Sequence, residues 1–140
     1  MTRFTVEDLG HSMQWKDHDG APEDGTELCT LDEIDNEAGK ELVFYGGHDG
    51  GDGGNKWPFR MFVVRRGDDA WGYVNTCPHQ HIPLNYFPDR FVSADKQFIM
   101  CANHAALFNF DDGRCVSGPC AGQSLQRVPI TVRDGVVCVG

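Results

Sequence analysis

The sequence predicts one all-β domain, and two observations support this. From Thr26 onward the chain consists of short runs of β-branched and aromatic residues, which are separated by turn signals and have no helix patterns between them. The runs are TELCTL, ELVFY, FRMFVV, AWGYV, QFIMC, ALFNF, VPITV and VVCV. In addition, 140 residues are enough for one domain with a buried core. Many short strands in such a chain are typical of an all-β sandwich or a small barrel.

The last two runs give the clearest local prediction. Ile130 to Val132 and Val136 to Val139 flank the segment RDG, where Asp134 and Gly135 can adopt the positive φ of a tight hairpin turn. The dipeptide DG after LFNF predicts a similar turn earlier in the chain.

Two segments are irregular in composition. Residues 1–25 are polar and acidic, with only a weak helix pattern around Val6 to Trp15, and we interpret them as a loose N-terminal extension of a domain over 26–140. The segment GGHDGGDGGN, 46–55, lies between two predicted strands. One copy of this glycine–aspartate pattern cannot stack into a calcium-binding β-helix, so it predicts a flexible hairpin tip.

The charge balance restricts the class of partner. The net charge is -9, with 21 acidic and 12 basic residues and no basic run. This composition argues against nucleic acid, whose phosphates require clustered Lys and Arg, and it suits a basic protein partner that binds more weakly in salt.

No run approaches the roughly 20 apolar residues of a membrane span, and the N-terminus lacks a signal-peptide pattern. A cytoplasmic protein without membrane contact is expected.

Two Cys-His pairs suggest a metal site. Cys77-x-His79 and Cys101-x-x-His104 each follow a predicted strand, so both pairs are expected on loops at strand ends, where they can converge on a shared ion. Zinc suits a Cys2His2 set, although neither pair is the Cys-x-x-Cys knuckle that is usual in structural zinc sites. The spacing alone leaves the metal open.

The residues around the pairs resemble the Rieske iron-sulfur family. CPHQHIPL and CANHAALFNFDDGRCVSGP are similar to the two cluster loops of soluble Rieske-type ferredoxins, and the resemblance extends over about residues 26–140, with the cluster loops within about 75–120. It implies an antiparallel β-sandwich with a small cluster-binding subdomain. It also implies one [2Fe-2S] cluster, with Cys77 and Cys101 on one iron and His79 and His104 on the other.

Departures from the family pattern bear on the redox potential. Rieske proteins of respiratory and photosynthetic complexes join their loops by a disulfide, but this chain has Ile82 and Asn103 at those positions. Those relatives also have a serine and a tyrosine that donate hydrogen bonds to cluster sulfurs, where this chain has Ala106 and Phe108. Fewer donors stabilise the reduced cluster less, so a potential in the lower half of the Rieske range is expected.

The resemblance also gives expectations for neighbouring residues. The segment 117–119, SGP, is expected to be the family's proline loop, which covers the cluster. His81 is expected at the rim, because four ligands are already assigned. Cys115 and Cys120 are five residues apart and could form a disulfide, but a reducing cytosol favours thiols. Cys29 and Cys138 are interpreted as packing thiols on strands.

The resemblance implies a one-electron carrier between a flavin reductase and a terminal oxygenase or related oxidoreductase, which is an electron-transfer component rather than a catalyst. The oxygenase itself needs a further domain with a two-histidine, one-carboxylate iron site, and 36 residues after His104 leave no room for one. The alternatives are a nonredox zinc or iron-sulfur binding module and a Rieske subunit of another oxidoreductase.

Overall fold

The computed structural model describes residues 15–17, 20–45, 58–78, 82–85, 87, 89–102 and 105–140. These residues form ten strands and two single-turn 3₁₀ helices, which confirms the all-β prediction. The 3₁₀ turns are Trp15–Asp17 and Leu31–Glu33. The strands are β1 (Glu27–Thr30), β2 (Ala38–Phe44), β3 (Phe59–Arg66), β4 (Asp69–Val74), β5 (Ile99–Met100), β6 (Leu107–Phe108), β7 (Cys115–Ser117), β8 (Arg127–Val128), β9 (Ile130–Arg133) and β10 (Val136–Val139).

The strands form three sheets, and every strand pair in them is antiparallel. One sheet has the order β1-β10-β9, and the largest has the order β2-β3-β4-β8. These two sheets share a hydrophobic core and form the sandwich. The short strands β5-β6-β7 form the third sheet, which is the small subdomain expected from the resemblance.

Strand β3 contributes to two cores at once. Phe59, Met61 and Val63 pack in the core between the two large sheets, whereas Phe62 and Val64 belong to a second core with the subdomain. Successive side chains of a strand point to opposite faces, so a central strand that is covered on both faces is apolar throughout. The four-stranded sheet is therefore the middle layer. Its second core contains four of the cysteines, Cys77, Cys101, Cys115 and Cys120.

Both predicted turns are confirmed. Arg133 pairs with Val136, and the two residues between them, Asp134 and Gly135, have φ of 52° and 80°. Positive φ at both positions gives a two-residue turn whose twist matches that of the paired strands. In the turn after LFNF, Gly113 has a φ of 71°.

Gly113 also permits a close contact between the sandwich and the subdomain. A Cβ at this position would lie 2.7 Å from Cε1 of Tyr73 on β4. The Tyr73 hydroxyl donates a hydrogen bond of 2.6 Å to the carbonyl of Phe110, and burial raises the pKa of that hydroxyl, so it remains a donor. The ring thus fixes the subdomain hairpin against β4.

The run VPITV was predicted as one strand, but it contributes to two sheets. Arg127–Val128 pair with β4, whereas Ile130–Arg133 pair with β10. Pro129 separates them because it has no N–H to donate to a ladder, and its carbonyl accepts a hydrogen bond from the N–H of Gly140 at 2.9 Å. Strand β7 was not predicted, because its three residues lie within a segment rich in turn residues.

Two predicted features lie wholly or mostly outside the described residues. One is the glycine-rich segment 46–55; the strands on either side of it, β2 and β3, pair along all seven residues of β2. The other is the weak helix pattern of Val6 to Trp15. Trp15 itself is described, and its indole packs with its centre 6.1 Å from the ring centre of Phe59. Within the described ranges, no helix is long and apolar enough to cross a membrane.

Candidate metal centre

The first Cys-His loop begins directly after β4. Cys77 is 2% exposed, and its backbone N–H donates a hydrogen bond of 2.7 Å to the carbonyl of Ile82. This bond joins residue i to residue i+5 and closes a short loop that buries the cysteine. His79 and His81 lie between these two residues in the sequence, outside the described residues.

The second loop, which follows β5, is closed in the same way. Cys101 is completely buried, and its N–H donates to the carbonyl of Ala106 at 2.9 Å, again from residue i to residue i+5. Ala105 returns a bond of 2.9 Å from its N–H to the carbonyl of Cys101, and it has a φ of 57°, which turns the chain back sharply. Asn103 and His104 lie outside the described residues.

A backbone hydrogen bond joins the two loops. The N–H of Ala102 donates to the carbonyl of Leu84 at 2.7 Å. Leu84 is held in turn by Asn75, whose side-chain oxygen accepts the N–H of Leu84 at 2.8 Å. The amide of Asn75 donates to Asn85 at 2.9 Å and to the carboxylate of Glu41 at 3.2 Å. This chain of bonds connects the middle sheet to both loops.

Asn75 was not singled out in the sequence, because one Asn at a strand end is an ordinary feature. Asn75 is 2% exposed, and among the residues that the structure describes it is the one polar residue in the buried set. For the closure of the two loops the sequence carried only a weak signal. Cys77 and Cys101 are each followed five residues later by an apolar residue, and the backbone carbonyl of that residue closes the loop.

We expect Asn75→Ala to lower the free energy of unfolding by about 2–4 kcal/mol, because it leaves the buried N–H of Leu84 without its acceptor and removes two further bonds. Asn36→Ala is the matched control. Asn36 accepts the N–H of Gly67 at 2.7 Å in an exposed position, so its loss should cost about 1 kcal/mol or less. Urea denaturation of both variants measures the difference, and equal costs would contradict the role of Asn75.

The expected proline loop lies against the second Cys-His loop. Gly118 has a φ of 107°, and a Cβ at this position would lie 2.8 Å from the Cα of Ala106. Only a glycine allows the two backbones to approach this closely. The segment 117–119 is therefore placed beside the loop that carries Cys101.

We expect Gly118→Ala to destabilise the protein by about 2–4 kcal/mol, since it adds steric overlap to an unfavourable backbone conformation. Gly122→Ala is a close control, because Gly122 has a φ of 93° and no atom within 4 Å of an added Cβ. The difference between the two melting curves isolates the contact with Ala106. Equal melting temperatures of the two variants would refute the destabilising contact between an alanine at position 118 and Ala106.

Comparison with family models supports the geometric picture. The model of the Rieske [2Fe-2S] domain matches residues 24–132, which include both Cys-His loops and the proline loop. The chain belongs to the Rieske family. A comparison of the sequence with curated proteins finds no match.

Solved structures of two ferredoxins and of a terminal oxygenase share the fold. The ferredoxin of carbazole 1,9a-dioxygenase from Nocardioides aromaticivorans IC177 superposes with a TM-score of 0.62 at 20% identity, over 84% of this chain and 98% of that one. A ferredoxin of Sphingomonas yanoikuyae B1 gives 0.57 at 20% identity, over 82% and 96%. The terminal oxygenase of carbazole 1,9a-dioxygenase from Novosphingobium sp. KA1 gives 0.61 at 15% identity, over 83% of this chain and 30% of that one.

A Rieske domain carries one [2Fe-2S] cluster, which is accordingly the cofactor of this chain. The described residues fit this group, because the loops that carry the buried Cys77 and Cys101 are joined by a hydrogen bond. Burial raises the pKa of the neighbouring Cys120 thiol to about 12, and its hydrogen bond to Cys115 and the charges of Cys115, Cys77 and Cys101 add to the increase. Cys77, Cys101, Cys115 and Cys120 belong to one buried cluster of side chains, in the region that an iron-sulfur cluster would occupy.

Two of the departures from the high-potential Rieske pattern lie in this buried region. Ala106 and Phe108 are both completely buried, and neither side chain has a hydroxyl to donate to a sulfur. Ile82, at the position where those relatives have a loop cysteine, accepts the bond from Cys77 through its backbone. Cys77 and Cys101 thus share their buried core with the apolar side chains of Ala106 and Phe108.

Proposed function

We propose that this protein is a cytoplasmic Rieske-type ferredoxin, a one-electron carrier between a flavin reductase and a terminal oxygenase. The observation that carries the proposal is the extent of the structural match. The described fold accounts for 98% and 96% of two solved ferredoxins, but for 30% of an oxygenase chain. In a further solved structure, a complex of reduced oxygenase and oxidized ferredoxin in carbazole 1,9a-dioxygenase, the matched chain is 22% identical, with a TM-score of 0.58 over 81% of this chain and 90% of that one.

The proposed ligands are the thiolates of Cys77 and Cys101 on one iron and the imidazoles of His79 and His104 on the other. Each histidine lies in the sequence between a buried cysteine and the i+5 residue that closes its loop. When bound, such a cluster accepts and releases one electron at a time. Neutral imidazoles in place of two thiolates make the reduced state less negative, which raises the potential above that of all-cysteine clusters.

The protein's own residues control the surroundings of the electron. Leu84, Phe91, Ile99 and Phe108 are at most 1% exposed and exclude water from the cysteine side. A dry surrounding in which neither Ala106 nor Phe108 offers a hydroxyl donor disfavours the added negative charge, and this supports a low potential. The net charge of -9 supports a docking partner with a basic face.

Metal analysis is the first test of this proposal. Two irons and two acid-labile sulfides per chain, with a paramagnetic signal on reduction, are expected. A colourless protein with one zinc per chain would instead support a structural binding module.

The second test is reconstitution with candidate reductases and oxygenases. Electron transfer to an oxygenase should occur at a rate that falls as salt is added, because acidic docking surfaces are screened. A cluster that is reduced by these reductases but passes no electron to any oxygenase would favour a Rieske subunit of another oxidoreductase.

A further inference from the structure

Two cysteines outside the Cys-His pairs lie in contact at the base of the proline loop. Cys115 is on β7 and Cys120 follows the loop, with exposures of 2% and 1%. Their Sγ atoms are 3.2 Å apart, with the Cys120 thiol donating to the Cys115 sulfur. The Cys115 thiol donates in turn to the carbonyl of Ser117 at 3.2 Å. Both are reduced thiols in this structure.

The backbone holds both cysteines in place. The N–H of Cys115 donates to the carbonyl of Gln123 at 2.8 Å, and its carbonyl accepts the N–H of Gly122 at 3.2 Å. The carbonyl of Cys120 accepts the N–H of Gln123 at 2.9 Å. The two sulfurs therefore face each other within a closed hairpin, so their contact is part of the loop's structure.

We propose that Cys115 and Cys120 are a dithiol site that is oxidised to a disulfide, which closes the proline loop beside the cluster. A disulfide has an S–S bond of about 2.05 Å, so the sulfurs need to approach by only about 1.2 Å, which side-chain rotation can supply. The proposal does not depend on the identity of the electron partners.

The oxidant is a low-molecular-weight disulfide. Each cysteine loses its S–H hydrogen, one S–S bond forms between Cys115 and Cys120, and the two electrons and two protons reduce the small disulfide to two thiols. A cluster that carries one electron cannot complete this two-electron step. The burial that raises the pKa of Cys120 keeps the thiolate scarce, so the exchange is slow in the closed loop and the product is shielded from reductants.

The effect on the protein follows from the position of Gly118. The disulfide closes a ring of residues 115–120, and Gly118 within this ring lies against Ala106 of the second Cys-His loop. When the disulfide is formed, the segment 115–120 cannot open widely enough to expose the contact between Gly118 and Ala106. With two thiols, the same segment can open more widely. The oxidised protein should therefore release its cluster to a chelator several-fold more slowly.

The sequence provides a direct chemical readout. Trypsin cleaves after Arg114 and Arg127, so both cysteines fall in the one peptide 115–127, and Cys29, Cys77, Cys101 and Cys138 fall in four separate peptides. The holoprotein is incubated without oxygen with excess oxidised glutathione, then denatured in iodoacetamide and digested. The expected peptide 115–127 carries no alkyl group and is two hydrogens lighter than its reduced form. A peptide with two alkyl groups, or with glutathione attached, would overturn the proposal.

Cys120→Ala separates the disulfide from other effects of oxidation. In the wild-type holoprotein, oxidation should slow the loss of visible absorbance in chelator, and a reductant that restores both alkylated thiols should reverse this. In Cys120→Ala, oxidised and reduced samples should lose absorbance at the same rate. The same slowing in this variant would show that another group is responsible and would overturn the assignment.

Discussion

Replacing His79 or His104 by alanine is expected to reduce the iron content from two per chain to nearly none. Each change removes one of four proposed ligands, and a [2Fe-2S] cluster with an open position is exposed to water and dissociates. Cys101→Ser should have a similar effect, because it substitutes a poorer ligand at a completely buried position. Iron and sulfide analysis of the purified variants, with the visible spectrum, measures the result.

His81→Ala is the decisive control for these variants. His81 lies two residues from His79 in the same loop sequence, but it is assigned to the rim rather than to the iron. The His81→Ala variant should keep two irons and the wild-type spectrum. Cys138→Ser, on the partly exposed strand β10, should also keep both, which controls for the loss of a sulfur. If the cluster were retained in His79→Ala but lost in His81→Ala, His81 would be the ligand and His79 the rim residue.

The double substitution Ala106→Ser with Phe108→Tyr is expected to raise the midpoint potential. Both positions are buried beside the Cys-His loops, and the new hydroxyls would donate hydrogen bonds to cluster sulfurs. Such bonds favour the reduced state, which is the more negative one. A rise on the order of 100 mV is reasonable within a Rieske range of about -150 to about +300 mV.

A redox titration of the two single variants and the double variant checks this expectation. Val63→Thr is the control, because it adds a hydroxyl at a completely buried position in the other core, away from the cluster loops. Its potential should match that of the wild type. An unchanged or lower potential in the double variant would refute the proposed alignment of Ala106 and Phe108 with the hydroxyl donors.

The sequence predicted the parts of the fold that depend on local patterns. The positive φ of Asp134 and Gly135 follows from their residue types, and the strands of the sandwich follow from runs of apolar residues. The three residues of β7 carry too little pattern to be recognised within a segment rich in turn residues, since the pairing of β7 depends on the hairpin around it. The split of VPITV depends on Pro129, whose position could have indicated it.

At the site, the sequence predicted the residues that identify the family more completely than the hydrogen bonds that hold their loops in place. The Cys-His spacing and flanking residues identified the family, which the domain match confirms. The support from Asn75 through Leu84 to Ala102 could not be predicted, because it joins residues of three segments by one side-chain oxygen and three backbone groups. The contact between Cys115 and Cys120 needed the geometry of the hairpin in addition to their spacing.

The hydrogen bond between Ala102 and Leu84 determines which conditions can separate the two Cys-His loops. In the respiratory and photosynthetic relatives, a disulfide at the positions of Ile82 and Asn103 joins the two loops, and a strong reductant can cut it. Here the connection is a backbone hydrogen bond of 2.7 Å, on which thiols and electrons have no effect. The two halves of the centre should therefore stay joined at the low potentials expected for the proposed carrier. Heat and denaturants, rather than reductants, are what would separate them.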